Sequence, residues 1–149
     1  MKTGIKVADA MTKKPIIVDP ETPIHECSKL MLKEKVGSLI VRSSSKAIGI
    51  ISEKDIVERV VAKSLDPRKV LAKEIMSKRL ITIKPHQDIL EALQLMKIEK
   101  IRKLPVIDDE ENFIGLLTTK DVLRLQPALI EIYLERLQIR EHEDKLRRL

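Results

Sequence analysis

One seven-residue pattern occurs twice in this sequence, and the repetition limits the folds that the chain can adopt. Residues 49–55 (GIISEKD) and 115–121 (GLLTTKD) both consist of Gly, two aliphatic residues, a hydroxyl residue, two variable positions and Asp. Matching residues continue upstream as far as Met11 and Met76, at an offset of 65 that one inserted residue raises to 66. An alignment with a single gap and identities along its whole length indicates a tandem duplication.

Two copies are too few for a solenoid, so we expect the halves to pack on each other with approximate two-fold symmetry. The 149 residues are enough to bury a core. That core must be aliphatic, because Phe113 and Tyr133 are the only aromatic residues. Cys27 lies on the apolar stripe of a predicted helix and is expected to be a buried core residue.

The sequence also bears on where the protein works. A single cysteine cannot form an internal disulfide, which favours a reducing, cytoplasmic location. No apolar run approaches the ~20 residues of a membrane span, and no signal peptide opens the chain, so we expect no membrane association.

Hydrophobic periodicity changes in the same order within each repeat. A short β-branched strand is followed by an amphipathic helix with apolar residues at three- and four-residue steps, for which Thr22 and Pro23 predict the N-cap and first position in repeat 1. Two apolar strands and a second helix follow. The predicted strands are 15–18, 38–41 and 47–51 in repeat 1, and 80–83, 104–107 and 113–117 in repeat 2.

This order predicts an α/β (α+β) fold of two β-α-β-β-α repeats with pseudo-two-fold symmetry and a C-terminal helix. The predicted units are residues 5–64, 70–126 and 127–149. The last unit is an amphipathic helix whose first turns are apolar and whose later turns pair acids with bases four residues on. We expect its first half to be buried, either on its own chain or, as we favour, on a second copy.

The repeated hydroxyl and carboxylate pairs, Ser52 with Asp55 and Thr118 with Asp121, admit two interpretations. Each can form a capping box at the start of a helix, which needs no ligand. Capping boxes prefer Glu or Gln over Asp, however, and a glycine before each pair suggests a close approach of the backbone to something. A helix start also offers free N–H groups to an anion. These points favour a binding site.

Each half resembles a cystathionine-β-synthase (CBS) domain, and the pair resembles the tandem unit called a Bateman module. The resemblance covers about residues 5–125. It is carried by Met76-Ser77, by residues 100–108 (KIRKLPVID) and by both copies of the Gly-aliphatic-aliphatic-Ser/Thr-x-x-Asp pattern.

The resemblance implies two clefts between the repeats that bind adenosine nucleotides: AMP, ADP or ATP. Asp55 and Asp121 would hold ribose hydroxyls, with Ser52 and Thr118 at the phosphate end. Adenine would lie between aliphatic walls near Ile17 or Thr82, next to the strand that contains Pro105.

The same resemblance suggests that the two clefts differ. Arg102 and Lys103 occupy positions where nucleotide-binding members place basic residues on phosphates, whereas the matching residues Gly37 and Ser38 carry no charge. We therefore expect tighter binding at the cleft of Asp121, unless these cations reach into the opposite cleft.

The function expected from the sequence is a regulatory module, not an enzyme, that binds a nucleotide, forms a homodimer and signals to an unidentified partner. No P-loop, nucleophile elbow, dinucleotide fingerprint or paired metal ligands are present, so neither a catalytic cofactor nor a metal is expected. Two alternatives remain open. One is a dimerisation module without a ligand. The other, suggested by the net charge of +6, is a nucleic-acid binder, although no Arg-rich arm or aromatic platform accompanies that charge.

Overall fold

A computed structural model describes residues 2–125 and 127–148, with side chains described outside residues 127–133. The helices are α1 (Val7–Ala10), α2 (Ile24–Glu34), α3 (Glu53–Ile56), α4 (Ala72–Ile75), α5 (Ile89–Glu99), α6 (Thr119–Leu125) and α7 (Pro127–Arg147). The strands are β1 (Ile17–Val18), β2 (Ser38–Ser43), β3 (Lys46–Ser52), β4 (Lys103–Ile107) and β5 (Phe113–Thr118). A π-helical turn, Val57–Val61, extends α3. The predicted mixed α/β class is confirmed.

Each repeat is built around an antiparallel hairpin. In repeat 1 the hairpin β2–β3 is extended by β1, which runs parallel to β2, and in repeat 2 β4 pairs with β5. The predicted strand 80–83 reduces to a single parallel bridge between Ile83 and Val106. Only the N–H and the carbonyl of Ile83 bond to β4, at 3.1 and 3.0 Å, so the ladder does not extend further.

The start of α2 differs from the prediction. The N-cap is Pro23, not Thr22, and no side chain caps this end. The linker, which is the segment that joins the two repeats and leads into α4, supplies backbone partners instead. The Ile24 N–H donates to the Val70 carbonyl at 2.8 Å, and the Thr22 carbonyl accepts from the Ala72 N–H at 2.8 Å. Backbone pairing with the linker therefore replaces the predicted hydroxyl cap.

Alternation along the central strands divides each sheet into two faces. Leu39 and Val41 of β2 are buried in the core of repeat 1, while Leu104 and Val106 of β4 are buried in the core of repeat 2. As the sequence predicted, both cores are aliphatic, and Cys27 is fully buried in the first. The intervening residues of each strand must point to the opposite face.

Each core is completed by the segment that precedes the other repeat. Val7 of α1 is fully buried in the core of repeat 2, and Ala72 and Ile75 of α4 are buried in the core of repeat 1. Antiparallel bridges hold both segments, with Thr12 paired to Leu116 and Ile50 paired to Ser77. The two repeats therefore exchange their leading segments and form one interlocked unit.

This exchange explains the glycine of the repeated pattern. A Cβ atom at Gly49 would lie 2.6 Å from Cγ of Met76, and one at Gly115 would lie 2.8 Å from Sδ of Met11. Both distances are far below van der Waals contact. The close approach inferred from the sequence is real, but the neighbour is the methionine of an exchanged segment, so the glycines are no evidence for a ligand.

The helix α7 extends beyond the repeats. Leu134, Ile139 and Leu146 are 43%, 56% and 55% exposed, and most other described side chains of this helix are also exposed. The predicted solvation of its second half agrees with this. Of the first half, which was expected to be buried, Leu134 is exposed on this chain, and residues 127–133 lie outside the described side chains. Within residues 2–125 and 127–148, no helix combines the length and the apolar character needed to cross a membrane.

Replacing Gly49 should reveal the contact that locks the exchange. We expect Gly49→Ala to lower the free energy of unfolding by about 1–3 kcal/mol, because the added methyl displaces Met76 from a packed site. In a double-mutant cycle with Met76→Ala, the two losses should be less than additive when measured by urea denaturation. Additive losses would contradict the Gly49–Met76 contact.

A second anchor of the exchange is the buried carboxylate of Asp88, which is 3% exposed. Its oxygens accept hydrogen bonds from the N–H groups of Thr3, Gly4 and Leu90 and from the Thr3 hydroxyl, at 2.9–3.0 Å. These bonds, led by that from the Leu90 N–H, lower the pKa of Asp88. The carboxylate thus caps α5 and holds the N-terminal segment on repeat 2.

Because the folded-state pKa of Asp88 is depressed, its stabilising effect is fully present above the ordinary aspartate pKa, about 3.9, and is lost as the pH falls through the depressed value. Asp88→Ala should therefore lower the melting temperature clearly at pH 7 and much less at the lowest pH at which the fold survives. Circular-dichroism melts across this range test the expectation. An equal loss at all pH values would contradict the role of the ionised carboxylate.

Candidate functional site

The sheet faces that point away from the two cores carry most of the predicted site residues. Ser38 and Ile40 alternate with the core residues of β2, and Lys103 and Pro105 hold the matching positions on β4. Ile40 is 1% exposed but belongs to neither core. We infer that these faces of the two sheets oppose each other and bury Ile40 and Pro105 between the repeats.

The predicted adenine-wall residues lie on the same faces. Ile17 pairs with Ile40. The bridge between Ile83 and Val106 places Thr82 level with Pro105, the matching arrangement in repeat 2. Ile17 and Thr82 are partly exposed, whereas Pro105 is buried. Each sheet therefore brings an apolar wall to the space between the repeats.

A hydrogen bond at the pseudo-two-fold axis joins the opposed faces. The Lys103 ammonium donates to the Ser38 hydroxyl at 2.7 Å, and these two residues occupy matching positions in the duplication. Ser38 is also the strand partner of Ser52, and Lys103 is the strand partner of Thr118. Both predicted phosphate-end hydroxyl residues therefore flank one inter-repeat bridge.

Both hydroxyl–carboxylate pairs form capping boxes. The Ser52 N–H donates to the Asp55 carboxylate at 2.8 Å and the Asp55 N–H donates to the Ser52 hydroxyl at 3.1 Å. The Thr118 and Asp121 pair repeats these bonds at 2.9 and 3.2 Å. The structural interpretation of the motif is thus realised in both copies. Binding through these residues requires that a carboxylate oxygen also face the cleft.

The two carboxylates differ in how much of their bonding capacity remains. Asp121 is 7% exposed, and its second oxygen accepts a bond from the Thr12 hydroxyl of the exchanged segment at 3.2 Å. The Asp55 side chain is 16% exposed, and its second oxygen lies 3.8 Å from the Arg59 guanidinium. Asp55 therefore keeps the more accessible acceptor.

The side chains of the two basic residues of repeat 2, Arg102 and Lys103, have different surroundings. The Arg102 side chain is exposed, and its backbone carbonyl accepts a bond from the Thr119 N–H at 3.1 Å. Lys103 points to the axis and towards repeat 1. Burial lowers the pKa of Lys103, the carboxylate of Glu53 opposes that shift, and the ammonium of Lys120 adds to it.

An open groove of about 750 Å³ lies beside Glu53 and Lys120, mainly on repeat 1. Its apolar wall comes from α2 and α3 and includes Met31, Ile56 and Val57. Its polar lining includes Glu53 from repeat 1 and Lys120 from repeat 2. None of the predicted site residues lines this groove, but Glu53 and Lys120 lie at the starts of α3 and α6, so it reaches the helices that follow both motifs.

Glu53 and Lys120, which line the groove, are not among the site residues predicted from the sequence, because the two positions inside the motif were treated as variable. The feature of the sequence that could have identified them is the comparison of matching positions in the two repeats. Lys120 matches Lys54, so both copies carry a lysine there, while Glu53 matches Thr119 and is acidic in one copy only. Only the three-dimensional arrangement shows that the two residues line one groove.

The one cysteine and the potential metal-ligating side chains of the described residues bear on thiol reactivity and metal binding. Burial raises the pKa of the Cys27 thiol to about 11, so the reactive thiolate form is disfavoured. No group of three or more His, Cys, Asp or Glu side chains could hold a metal ion among residues 2–125 and 127–148.

Comparison with known proteins identifies the family. The sequence model of the CBS domain matches residues 7–62 and 72–128. An uncharacterized protein of Methanopyrus kandleri is 34% identical over 128 residues, which are 85% of this chain and 65% of that relative. The chain thus spans about two-thirds of the length of that relative.

Solved structures share the same fold. An uncharacterized conserved protein from Pyrococcus horikoshii is 30% identical with a TM-score of 0.73, over 83% of this chain and 93% of that one. The CBS domain pair of protein MJ0100, solved in complex with 5′-methylthioadenosine and S-adenosyl-L-methionine, is 28% identical with a TM-score of 0.71, over 81% and 98%. With two matched domains and these structural neighbours, the chain belongs to the CBS domain family and contains a tandem CBS pair.

Proposed function

We propose that this CBS pair is a regulatory module that binds adenosine nucleotides, AMP, ADP or ATP, between its repeats and signals to a partner protein. The observation that carries the proposal is the pair of opposed sheet faces, each with an apolar wall leading to a hydroxyl–carboxylate motif. A similar CBS pair binds two adenosine-containing compounds, which supports an adenosine ligand here. Such a function needs no catalytic residue and no catalytic cofactor.

The charge at the axis favours a ligand with a phosphate. Lys103 and Lys120 lie where the helices after both motifs begin, and the net charge of the chain is +6. An apolar wall suits adenine, a carboxylate can accept bonds from vicinal ribose hydroxyls, and an ammonium pairs with phosphate oxygens. We propose that the ligand spans these three features in that order.

We further propose that the cleft of Asp55 binds more tightly than the cleft of Asp121. Lys103 donates to Ser38 of repeat 1, and Lys120 lines the groove on repeat 1, so two cations of repeat 2 lie against the opposite repeat. This placement favours the case, stated with the sequence expectations, in which cations of repeat 2 reach into the opposite cleft. The greater exposure of the Asp55 carboxylate supports the same assignment.

The alternative of a module with no ligand can be tested by thermal shift. A nucleotide at ~100 times its dissociation constant should stabilise the folded state by about 2.7 kcal/mol, which raises the melting temperature of a chain of this size by about 5–10 °C. AMP, ADP, ATP, 5′-methylthioadenosine and S-adenosylmethionine should be compared at equal concentrations. If none of them shifts the melting temperature at millimolar concentration, the ligand-free module is the better description.

Substitution of the two motif carboxylates tests the site. Asp55→Ala should weaken nucleotide binding about ten- to a hundredfold, the cost of a lost charged hydrogen-bond acceptor, and Asp121→Ala should weaken it less. If both residues act only as helix caps, each substitution lowers stability by ~1 kcal/mol and leaves affinity unchanged. Titration calorimetry well below each melting temperature separates the two results.

Asp88→Ala is the matched control for this experiment, because it removes a helix-capping carboxylate that lies outside the sheet interface. It should destabilise the fold without changing nucleotide affinity. A loss of affinity in this control equal to that of Asp55→Ala would show that the effect of Asp55 is only a loss of stability.

We also propose that the module is a homodimer and that α7 contributes to the contact. The exposed apolar side chains of Leu134, Ile139 and Leu146 on α7 are available for such a contact. Light scattering should give twice the 17.1 kDa chain mass at micromolar concentration. Deletion of residues 127–149 should shift the mass towards the monomer. A monomeric intact chain would contradict the proposal, and an unchanged dimer after deletion would place the contact on the repeats.

A further inference from the structure

The groove beside the axis has an unusual charge arrangement. Of the side chains that line it in the described part of the chain, Glu53 is the one acid, and it shares the lining with Lys35 and Lys120. Lys103 lies close enough for the Glu53 carboxylate to affect it. The groove thus has an excess of positive charge that Glu53 partly neutralises.

The backbone fixes where Glu53 can reach. It is the first residue of α3, and its N–H donates to the Gly37 carbonyl at 3.1 Å. Its Oε1 atom lies 3.5 Å from the point that a Cβ of Gly37 would occupy. The carboxylate therefore folds back to the start of β2, at ordinary van der Waals distance from that point, and lies beside the groove.

The duplication provides an internal comparison. The residue that matches Glu53 is Thr119, and the capping box next to it forms with the same bonds. An acid at this position is therefore not needed for the fold of the motif. Glu53 also lies outside the capping box of its own repeat, which Ser52 and Asp55 form.

We propose that Glu53 is a selectivity residue that lowers the affinity of the groove for phosphate-bearing ligands and so limits the number of phosphates accepted. Its carboxylate lies at the start of β2 in a groove that Lys120 also lines, and Glu53 directly follows Ser52, the residue proposed for the phosphate end. A ligand with more phosphates meets more repulsion from Glu53. This inference rests on the proposed nucleotide function and names the charge class of its ligand.

The test is the Glu53→Gln variant, which keeps the size of the side chain and removes its charge. Titration calorimetry at about 150 mM salt should show AMP binding about two- to fivefold tighter than in the wild type, with a larger gain for ATP and no gain for neutral adenosine. The gain should shrink as salt is added, because exposed charges are screened within about 8 Å at that ionic strength. Lys120→Gln should act in the opposite direction.

Glu58→Gln is the matched control. Glu58 follows Glu53 along the same helical segment, pairs with Lys54 at 3.7 Å on the surface and does not line the groove, yet its substitution changes the net charge equally. It should leave AMP and ATP affinities near the wild-type values. Equal gains in both variants would overturn the inference, since the effect would then be one of overall charge.

The outcomes for the inference and for the proposed function are distinguishable. If wild type and Glu53→Gln bind AMP and ATP with the same affinities, the selectivity role of Glu53 is wrong while nucleotide binding stands. If neither protein binds adenosine, AMP or ATP, the proposed function itself is wrong, and the inference is overturned with it.

Discussion

The exchange of leading segments is the contact on which the rest of this structure depends. Neither repeat encloses its own core, because Val7 is buried in repeat 2 and Ala72 and Ile75 are buried in repeat 1. Tight packing is costly to disturb, and the methionine-on-glycine contacts at both ends leave no room for adjustment. Separating the repeats would expose both cores at once, so folding and docking of the repeats form a single process.

The exchange also determines the site. Because each segment crosses to the other repeat, the duplication closes around a two-fold axis, and matching residues meet there. Ser38 faces Lys103, and the Phe113 N–H donates to the Ser45 carbonyl at 2.9 Å where the two hairpin ends meet. The space between the sheets is therefore lined by both repeats, and a ligand that binds there contacts the interface that relates them.

The sequence predicted the elements and the symmetric packing of the two repeats, but not the exchange of their leading segments. Periodicity and the duplication located the hairpins β2–β3 and β4–β5 and the helices α2 and α5, because local hydrophobic pattern determines such elements. The crossing of α1 and α4 between the repeats leaves no periodic signal. For the same reason the glycines were misread, since only the folded chain shows that Met76 and Met11 occupy the space above them. Thr22 was a plausible cap on local grounds, but pairing with the linker took its place.

Duplication followed by divergence explains why two similar motifs need not have the same role. Both capping boxes are intact, so helix capping preserves Asp55 and Asp121 regardless of any ligand. The residues that surround the two carboxylates differ between the repeats. Thr12 engages the second oxygen of Asp121, whereas the corresponding oxygen of Asp55 stays more accessible. The Lys103 ammonium bonds to Ser38 of repeat 1, and Lys120 lines a groove that lies mainly on repeat 1. The motif therefore has the same geometry in both halves, and neighbouring residues contributed by the opposite half make the surroundings of the two copies different.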